Sequence, residues 1–495
     1  MPSPDSSLGA TTASGQQTKP RLLTWPVLAW GLWDWGSAAF NAVITTFVFA
    51  TYLVSSLFGD TTSNQSRLSA GMAIAGLLIA LLAPVTGQRA DRTGRAVASL
   101  GIYTALVVAV SAALFLVRPA PGYLWLGIAL MGVGNLFFEL ASVNYNGLLS
   151  HVTTKERIGA VSGIGWGMGY LGGIVLLLVV YTGLISPEVG WFGVSSADGL
   201  NVRVAMLVAA AWFGLSAIPV LVTQSRAASR RRRPGARAAG GPEADLARQI
   251  PEMETEPVVP GDIAGVGGLA GAAGTGRRES ILASYRHLWR TLRSLYRSHP
   301  NVLRFLLASA VFRDGLAGVF AYGGIIARTT FDFSDAEVIQ FAVAANVVAG
   351  IATIACGRLD DLIGPRRVIM GSLAILVVAG NAVFFLHDGG KAVFWALGLA
   401  LSACVGPAQS ASRTFLARLI PDGREGEIFG LYATTGRAAS FLAPALYGAA
   451  IWVGARLMGQ GAGYWGILGI MTVLIAGLVL MAGVKDPDGH LQHLA

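Results

Sequence analysis

The chain is short of charge. Only 13% of its 495 residues are Asp, Glu, Lys or Arg, where a soluble globular chain carries about a quarter. Apolar residues fill the gap, at 54% with a mean hydropathy of +0.59. A soluble fold would have to hide far too much apolar surface, which excludes that class. Cysteine is scarce too: Cys356 and Cys404 both lie in apolar stretches and read as packing residues, without redox or metal spacing. No His-Glu metal motif, Walker loop or nucleophile elbow occurs. These absences argue against an enzyme, a resident cofactor or metal, and ATP as the energy source. The first two dozen residues are polar and hold no basic-then-apolar leader with a small-residue cleavage site, so the first apolar segment is expected to be a retained helix.

What is present is a series of apolar segments of membrane-spanning length, which is about 20 residues. Helices are expected at 25–57, 68–89, 96–117, 123–148, 158–182 and 203–223, then at 301–328, 336–357, 367–386, 391–417, 427–453 and 463–483. The domains follow: a disordered tail 1–24, a six-helix bundle 25–223, a linker 224–300, a second six-helix bundle 301–484 and a tail 485–495. One set of loops holds Arg92, Arg95, Lys155, Arg157, Arg366, Arg367, Arg418 and Arg424. The other set is less basic, so the first set and both termini are expected in the cytoplasm. The net charge of +9 therefore reads as topology, not as a nucleic-acid footprint. In the linker, Arg230 to Arg233 precede a Gly-, Ala- and Pro-rich stretch that cannot bury a core and is expected to be disordered. Over 281–299, Leu282, Tyr285, Trp289, Leu292 and Tyr296 recur at helical spacing between arginines, which suits a helix on the anionic inner leaflet or a solvated linker helix.

A short charged signature recurs at matching places, between the second and third apolar segment of each half. The first copy runs from Gly87 through Asp91, Arg92 and Gly94 to Arg95; the second runs from Gly357 through Asp361 and Gly364 to Arg366 and Arg367. Two similar six-helix halves describe a transporter that rocks one half against the other. The paired signature resembles the loop motif of the major facilitator superfamily. That resemblance implies an all-α integral membrane protein of major-facilitator type, with twelve transmembrane helices in two pseudo-symmetric six-helix halves, and a monomer. It also implies a tight cytoplasmic turn at the glycines and a gate in which each acidic residue latches onto a helix of the other half: Asp91 near Ile428, and Asp361 near Ile158 beside Arg157. The second copy departs in carrying Leu362 in place of Arg92 and Pro365 before the arginines.

Longer stretches narrow the resemblance. They are Trp33-Asp34-Trp35, Tyr145-Asn146, the run Val161 to Gly173, Phe312-Arg313-Asp314-Gly315, and above all Gln409 to Tyr432. These are similar to the autophagy-related vacuolar amino-acid effluxer family and its bacterial relatives. Arg313 and Pro407 depart from the family pattern.

An ionisable residue inside a span costs at least about 2.5–3.5 kcal/mol and usually faces a cavity or a partner. The candidates for a substrate or ion pathway are Asp34, Glu139, Arg313, Asp314, Arg413 and Arg437, joined by Asn41 on the face of Asp34 and by Gln409 one turn before Arg413. Asn135, Glu139, Ser142 and Asn146 form one polar stripe in an apolar helix. By resemblance the first, fourth, seventh and tenth helices line the central cavity, which puts Asp34 and Glu139 in one place. Two close carboxylates in low dielectric do not both stay charged, so the pair is a candidate for proton coupling; sodium lacks a cluster of oxygen ligands. Asp314 and Arg437 are expected to pair, or Arg437 to bind a substrate carboxylate. Arg313 is expected to pair with Glu139 or to act on substrate. Arg413 either forks onto a carboxylate or snorkels to headgroups. The Gly165, Gly169 and Gly173 series is read as close helix packing, and with Gly172 it partly resembles the superfamily's antiporter motif. Trp25, Trp30, Trp33 and Trp35 are read mainly as interface anchors.

The expected function is a multi-pass secondary transporter in the plasma (inner) membrane, moving a small organic solute, with an amino acid or short peptide as the first expectation, export slightly favoured and a proton as coupling ion. A drug, sugar or siderophore cargo, or a non-transporting sensor or scaffold, are the alternatives.

Overall fold

A computed structural model describes residues 22–231, 299–420, 423–458 and 462–486, with the single positions 290, 293 and 297. The amphipathic stretch within 281–299, most of the linker and both tails lie outside the described residues.

Among the described residues twelve long helical stretches form two sets of six, and eleven of them are long and apolar enough to cross a membrane. In the first set, α1 (Trp25–Ala39) runs through a π-helical turn (Phe40–Phe47) into Phe49–Val54. It is followed by α2 (Thr61–Thr93), α3 (Ala96–Ala113), α4 (Leu124–Gly147), α5 (Ile158–Val180) and α6 (Leu200–Arg231). The second set is α7 (Pro300–Thr330), α8 (Asp335–Ile363), α9 (Pro365–Phe385), α10 (Gly390–Leu419), α11 in two pieces (Glu425–Ala439 and Leu442–Met458) and α12 (Gly466–Ala482). Among the described residues no strand forms beyond one bridge between Val189 and Ser195.

Local chemistry fixes the helix ends. Asp60 caps α2 by accepting from the Ser63 N–H at 2.8 Å. Ser334 and Glu337 close a reciprocal capping box on α8, and Lys391 of α10 holds Glu337 at 2.8 Å. The signature glycines behave differently from the expected turn. Gly87 to Thr93 and Gly357 to Ile363 are still helical, and the chain turns only at Gly94 (φ 60°) and Gly364 (φ 89°). Gly87 and Gly357 instead serve close helix approach, described below.

Each half has its own aromatic-rich core. In the first, Trp30 and Trp33 are fully buried and stack on Tyr145 at 4.5 and 4.2 Å. The interface-anchor reading therefore fails for these two, and Trp33 has no open face for a substrate: its indole donates to Thr104 at 3.1 Å. Trp25, 60% exposed, keeps a position suited to an anchor. The core of the second half also takes in Ile79, Ala83, Leu140 and Val143 from α2 and α4, so apolar packing continues across the boundary between the halves.

Candidate functional site

The boundary between the halves is closed at the end that carries Asp91 and Asp361. Two seams close it, α2 on α11 and α5 on α8. Glycine makes both close. A Cβ at Gly426 would lie 2.7 Å from the Gly87 carbonyl, and one at Gly357 would lie 2.8 Å from the Gly159 carbonyl. Side chains at these points would hold the helices apart.

Two latches cross the seams in opposite directions. Asp91 of the first half accepts from the Gly426 and Glu427 N–H groups at the start of α11, at 2.9 and 2.8 Å. Asp361 of the second half accepts from Gly159 and Ala160 at the start of α5, both at 2.8 Å. Unpaired N–H groups and the helix dipole make each helix start a carboxylate site. Gln88 donates to Glu427 at 2.9 Å, and Arg418 holds Asp361 at 3.1 Å. A carboxylate at a helix N-terminus is worth about 0.3–1 kcal/mol, and up to about 2 when partly buried. We therefore expect Asp91→Ala to speed hydrogen exchange at the Gly426 and Glu427 amides by up to about thirtyfold. Mass spectrometry reads this directly, and unchanged exchange would show that Asp91 holds nothing there. Arg366, grouped with the gate on sequence, belongs elsewhere: it donates to the Val484 and Ala482 carbonyls at 2.7 and 3.0 Å and so caps α12. Arg92 is exposed beside the first latch, and Arg95 opens α3.

Deeper between the halves, Arg413 of α10 is a hub. Its guanidinium donates to Asp34 of α1 at 3.2 Å, to Asn146 of α4 at 3.2 Å, and to the Ser162 hydroxyl and carbonyl of α5 at 3.0 and 2.7 Å. It lies over the Trp30 ring at 4.8 Å. Tyr145 donates to the same Asp34 oxygen at 2.9 Å. The Asp34 side chain is 17% exposed and that of Arg413 4%. Arg413 thus does not snorkel: it is buried and every contact crosses to the other half. The α5 glycines make the room, since a Cβ at Gly165 would lie 2.7 Å from the Asp34 carboxylate.

A second cross-half pair joins Glu139 of α4 to Arg437 of α11, with side chains 23% and 32% exposed. Glu139 stands six residues before Tyr145, about 9 Å along α4. The two carboxylates therefore do not share one place: each faces its own arginine. The other expected pairings also change. Asp314 does not meet Arg437 but accepts from the Ala443 N–H at 2.5 Å, where the second piece of α11 begins. Arg313 does not meet Glu139 but lies 3.8 Å over the Tyr432 ring and donates to its carbonyl at 3.2 Å. Asn41 is exposed in the π-helical turn, Asn135 is buried in α4, and Gln409 is half-buried one turn from Arg413.

Tyr145, Ser162 and Trp30 are site residues that the sequence reading passes over. Tyr145 and Ser162 stand in family-like stretches, which is the signal they carry. Away from the latch end a cavity of about 380 Å³ opens among α7, α8, α9, α10 and α12, with Thr46 and Phe47 of the first span at its edge. Asn346 is spent on the Ala342 carbonyl and Ser402 on that of Gly398, so its walls are largely apolar.

Residues 50–453 match the family described as vacuole effluxer Atg22 like. An uncharacterised MFS-type transporter, YxiO of Bacillus subtilis, is 24% identical over 469 residues, covering 92% of this chain and 94% of its own length. Autophagy-related protein 22-1 of Aspergillus fumigatus is 23% identical over 60% of this chain, which spans 45% of that longer protein. Among solved structures, the major facilitator superfamily proton:xylose symporter XylE superposes with a TM-score of 0.64 at 14% identity, covering 93% of this chain and 96% of its own. The chain is a multi-pass membrane transporter of the major facilitator superfamily and belongs to its Atg22-like family.

Proposed function

We propose that this transporter exports a small zwitterionic solute, an amino acid or short peptide, across the plasma membrane by alternating access driven by a proton gradient. The observation that carries the reading is the buried Asp34–Arg413 pair, with its carboxylate on one half and its guanidinium on the other. When the halves part at the latch end, taken as cytoplasmic because its loops are the more basic, both charges lose their partner. Stranding a buried charge costs several kcal/mol. A solute with a carboxylate for Arg413 and an ammonium for Asp34 satisfies both, whereas a neutral solute satisfies neither. Closure then re-forms the pair behind the solute, which favours movement outward. The family's description as an effluxer supports the direction. Three carboxylates within the spans, Asp34, Glu139 and Asp314, support a proton as coupling ion.

Reconstitution in liposomes with an imposed pH gradient and a panel of labelled amino acids and dipeptides tests this. Gradient-driven flux of one class is expected, reduced at least about tenfold in Asp34→Asn. No flux of any member by folded protein would remove the cargo reading. A second reading keeps the fold and carries an apolar drug in the cavity instead of a zwitterion at the charge pair; the cavity walls favour it, and the same liposomes loaded with a fluorescent lipophilic dye would reveal it.

A further inference from the structure

The carboxylates inside the spans are not equivalent. Asp34 meets Arg413 and Glu139 meets Arg437. Asp314, 7% exposed in the middle of α7, has no cationic partner among the described residues. About 21 Å of helix rise separates it from the start of α7 at Pro300, which sets it near mid-membrane. Its neighbour Arg313 is turned away onto Tyr432.

The contact that Asp314 does make is with a break in a helix. The first piece of α11 ends at Ala439, and the second starts at Leu442. The Ala443 N–H is one of the donors that such a start leaves unpaired, and Asp314 accepts from it. α11 is therefore held on both sides of its break. Asp91 binds the beginning of the first piece, Glu139 binds Arg437 near that piece's end, and Asp314 binds the piece that follows.

We propose that Asp314 is the site that binds the coupling proton, and that its charge sets the geometry of the α11 break. This rests on the proton-driven reading above and moves the proton from the arginine-paired carboxylates to an unpaired one. The other charged and titratable groups around it are accounted for. On α7 they are Arg313 and Tyr322, and Tyr322 stacks on Tyr447 of α11 at 3.8 Å. On the first piece of α11 they are Tyr432, which takes Arg313 and bonds Ser412, and Arg437, which takes Glu139. From α12 come apolar side chains, Ile470 and Leu474, packed at Gly318 and Gly315. With a proton bound, Asp314 loses the charge that the helix start favours. The break is then free to bend, and the first piece of α11 can leave Asp91. A proton arriving from outside would in this way open the inner gate, the order that solute export against proton entry requires.

The test needs no solute. Spin labels are placed at exposed Lys155 and Arg367, one in each half at the latch end, with Cys356 and Cys404 replaced by alanine. Distances are measured in nanodiscs at about pH 8 and about pH 5. The expected result is a wider separation whose population rises at least about fivefold in acid. The rise should persist in Glu139→Gln and vanish in Asp314→Asn. If Asp314→Asn does not fold, Ala443→Pro removes the donor and keeps the carboxylate, and it should abolish the response as well. A response that survives in Asp314→Asn, or is absent from the unsubstituted chain, overturns the assignment. The liposome assay separates the two failures: gradient-driven flux without this response leaves proton coupling standing on another residue, and loss of both removes the coupling reading too.

Discussion

Arg413→Ala is expected to abolish transport and to destabilise the closed state more than any other single side-chain deletion in the site. Arg413 bonds residues of α1, α4 and α5, and all of these contacts reach the opposite half. Its loss leaves the Asp34 carboxylate buried with Tyr145 as its remaining side-chain partner. Removing one member of a buried pair costs about 3–5 kcal/mol, because the other charge is left uncompensated. The double replacement Asp34→Leu with Arg413→Met provides the control. Exchanging both charges for apolar groups of similar size is often neutral or stabilising, so the double variant should regain thermal stability while flux stays absent. That separation distinguishes a functional pair from a structural one. Wild-type flux in Arg413→Ala, measured in liposomes, would remove the pair from the mechanism.

The second large effect is expected from Gly163→Val on the α5–α8 seam. A Cβ there would lie 2.7 Å from the Thr353 carbonyl oxygen and 2.9 Å from the Gly357 Cα. Both obstacles are backbone, so no rotamer change relieves them and the helices must part. Overpacking of this kind costs about 1–3 kcal/mol. Because the seam forms only in the closed state, that cost falls on the closed state and shifts the population toward opening. A cysteine at Ser410, which now bonds Ser162 across the boundary at 3.0 Å, should then react with a maleimide about tenfold faster or more. Gly371→Val, at a position with nothing within 4 Å, should leave that rate unchanged. Equal rates in the two variants would mean that the seam is not what closes this end.

Much of this fold is legible in the sequence, because membrane spans and their order follow from hydropathy. The latches are legible as well: Asp91 meets α11 within two residues of the expected Ile428, and Asp361 meets α5 one residue past Ile158. A repeated motif fixes which helices approach, and a helix start offers its donors whatever its side chains. The partners of the buried charges are another matter. Arg313 and Arg437 are at similar depths, and helix rotation alone decides which of them faces Glu139. No pattern within one helix encodes its rotation against a helix of the other half. The break at Ser440 is also silent in hydropathy; Pro444, in the first turn of the new piece, is the local trace of it. The tryptophans mislead for a related reason: Trp30 and Trp33 stand where an interface belt would, but they are buried against Tyr145.

Both latches take their donors from main chain, and this decides how the lock can be lost. The receiving helices contribute N–H groups of Gly426, Glu427, Gly159 and Ala160. No change of side-chain chemistry at those four positions deletes a donor. Proline alone does so, and the first turn of a helix is where proline is best tolerated. The donors are therefore offered by nearly every sequence that can form these helices, but the approach of the aspartates is not: a Cβ at Gly426 or at Gly159 would lie 2.7 Å from the Asp91 or the Asp361 carboxylate. Drift at Glu427 and Ala160 leaves the lock turning, whereas at the two glycines it jams the keyhole.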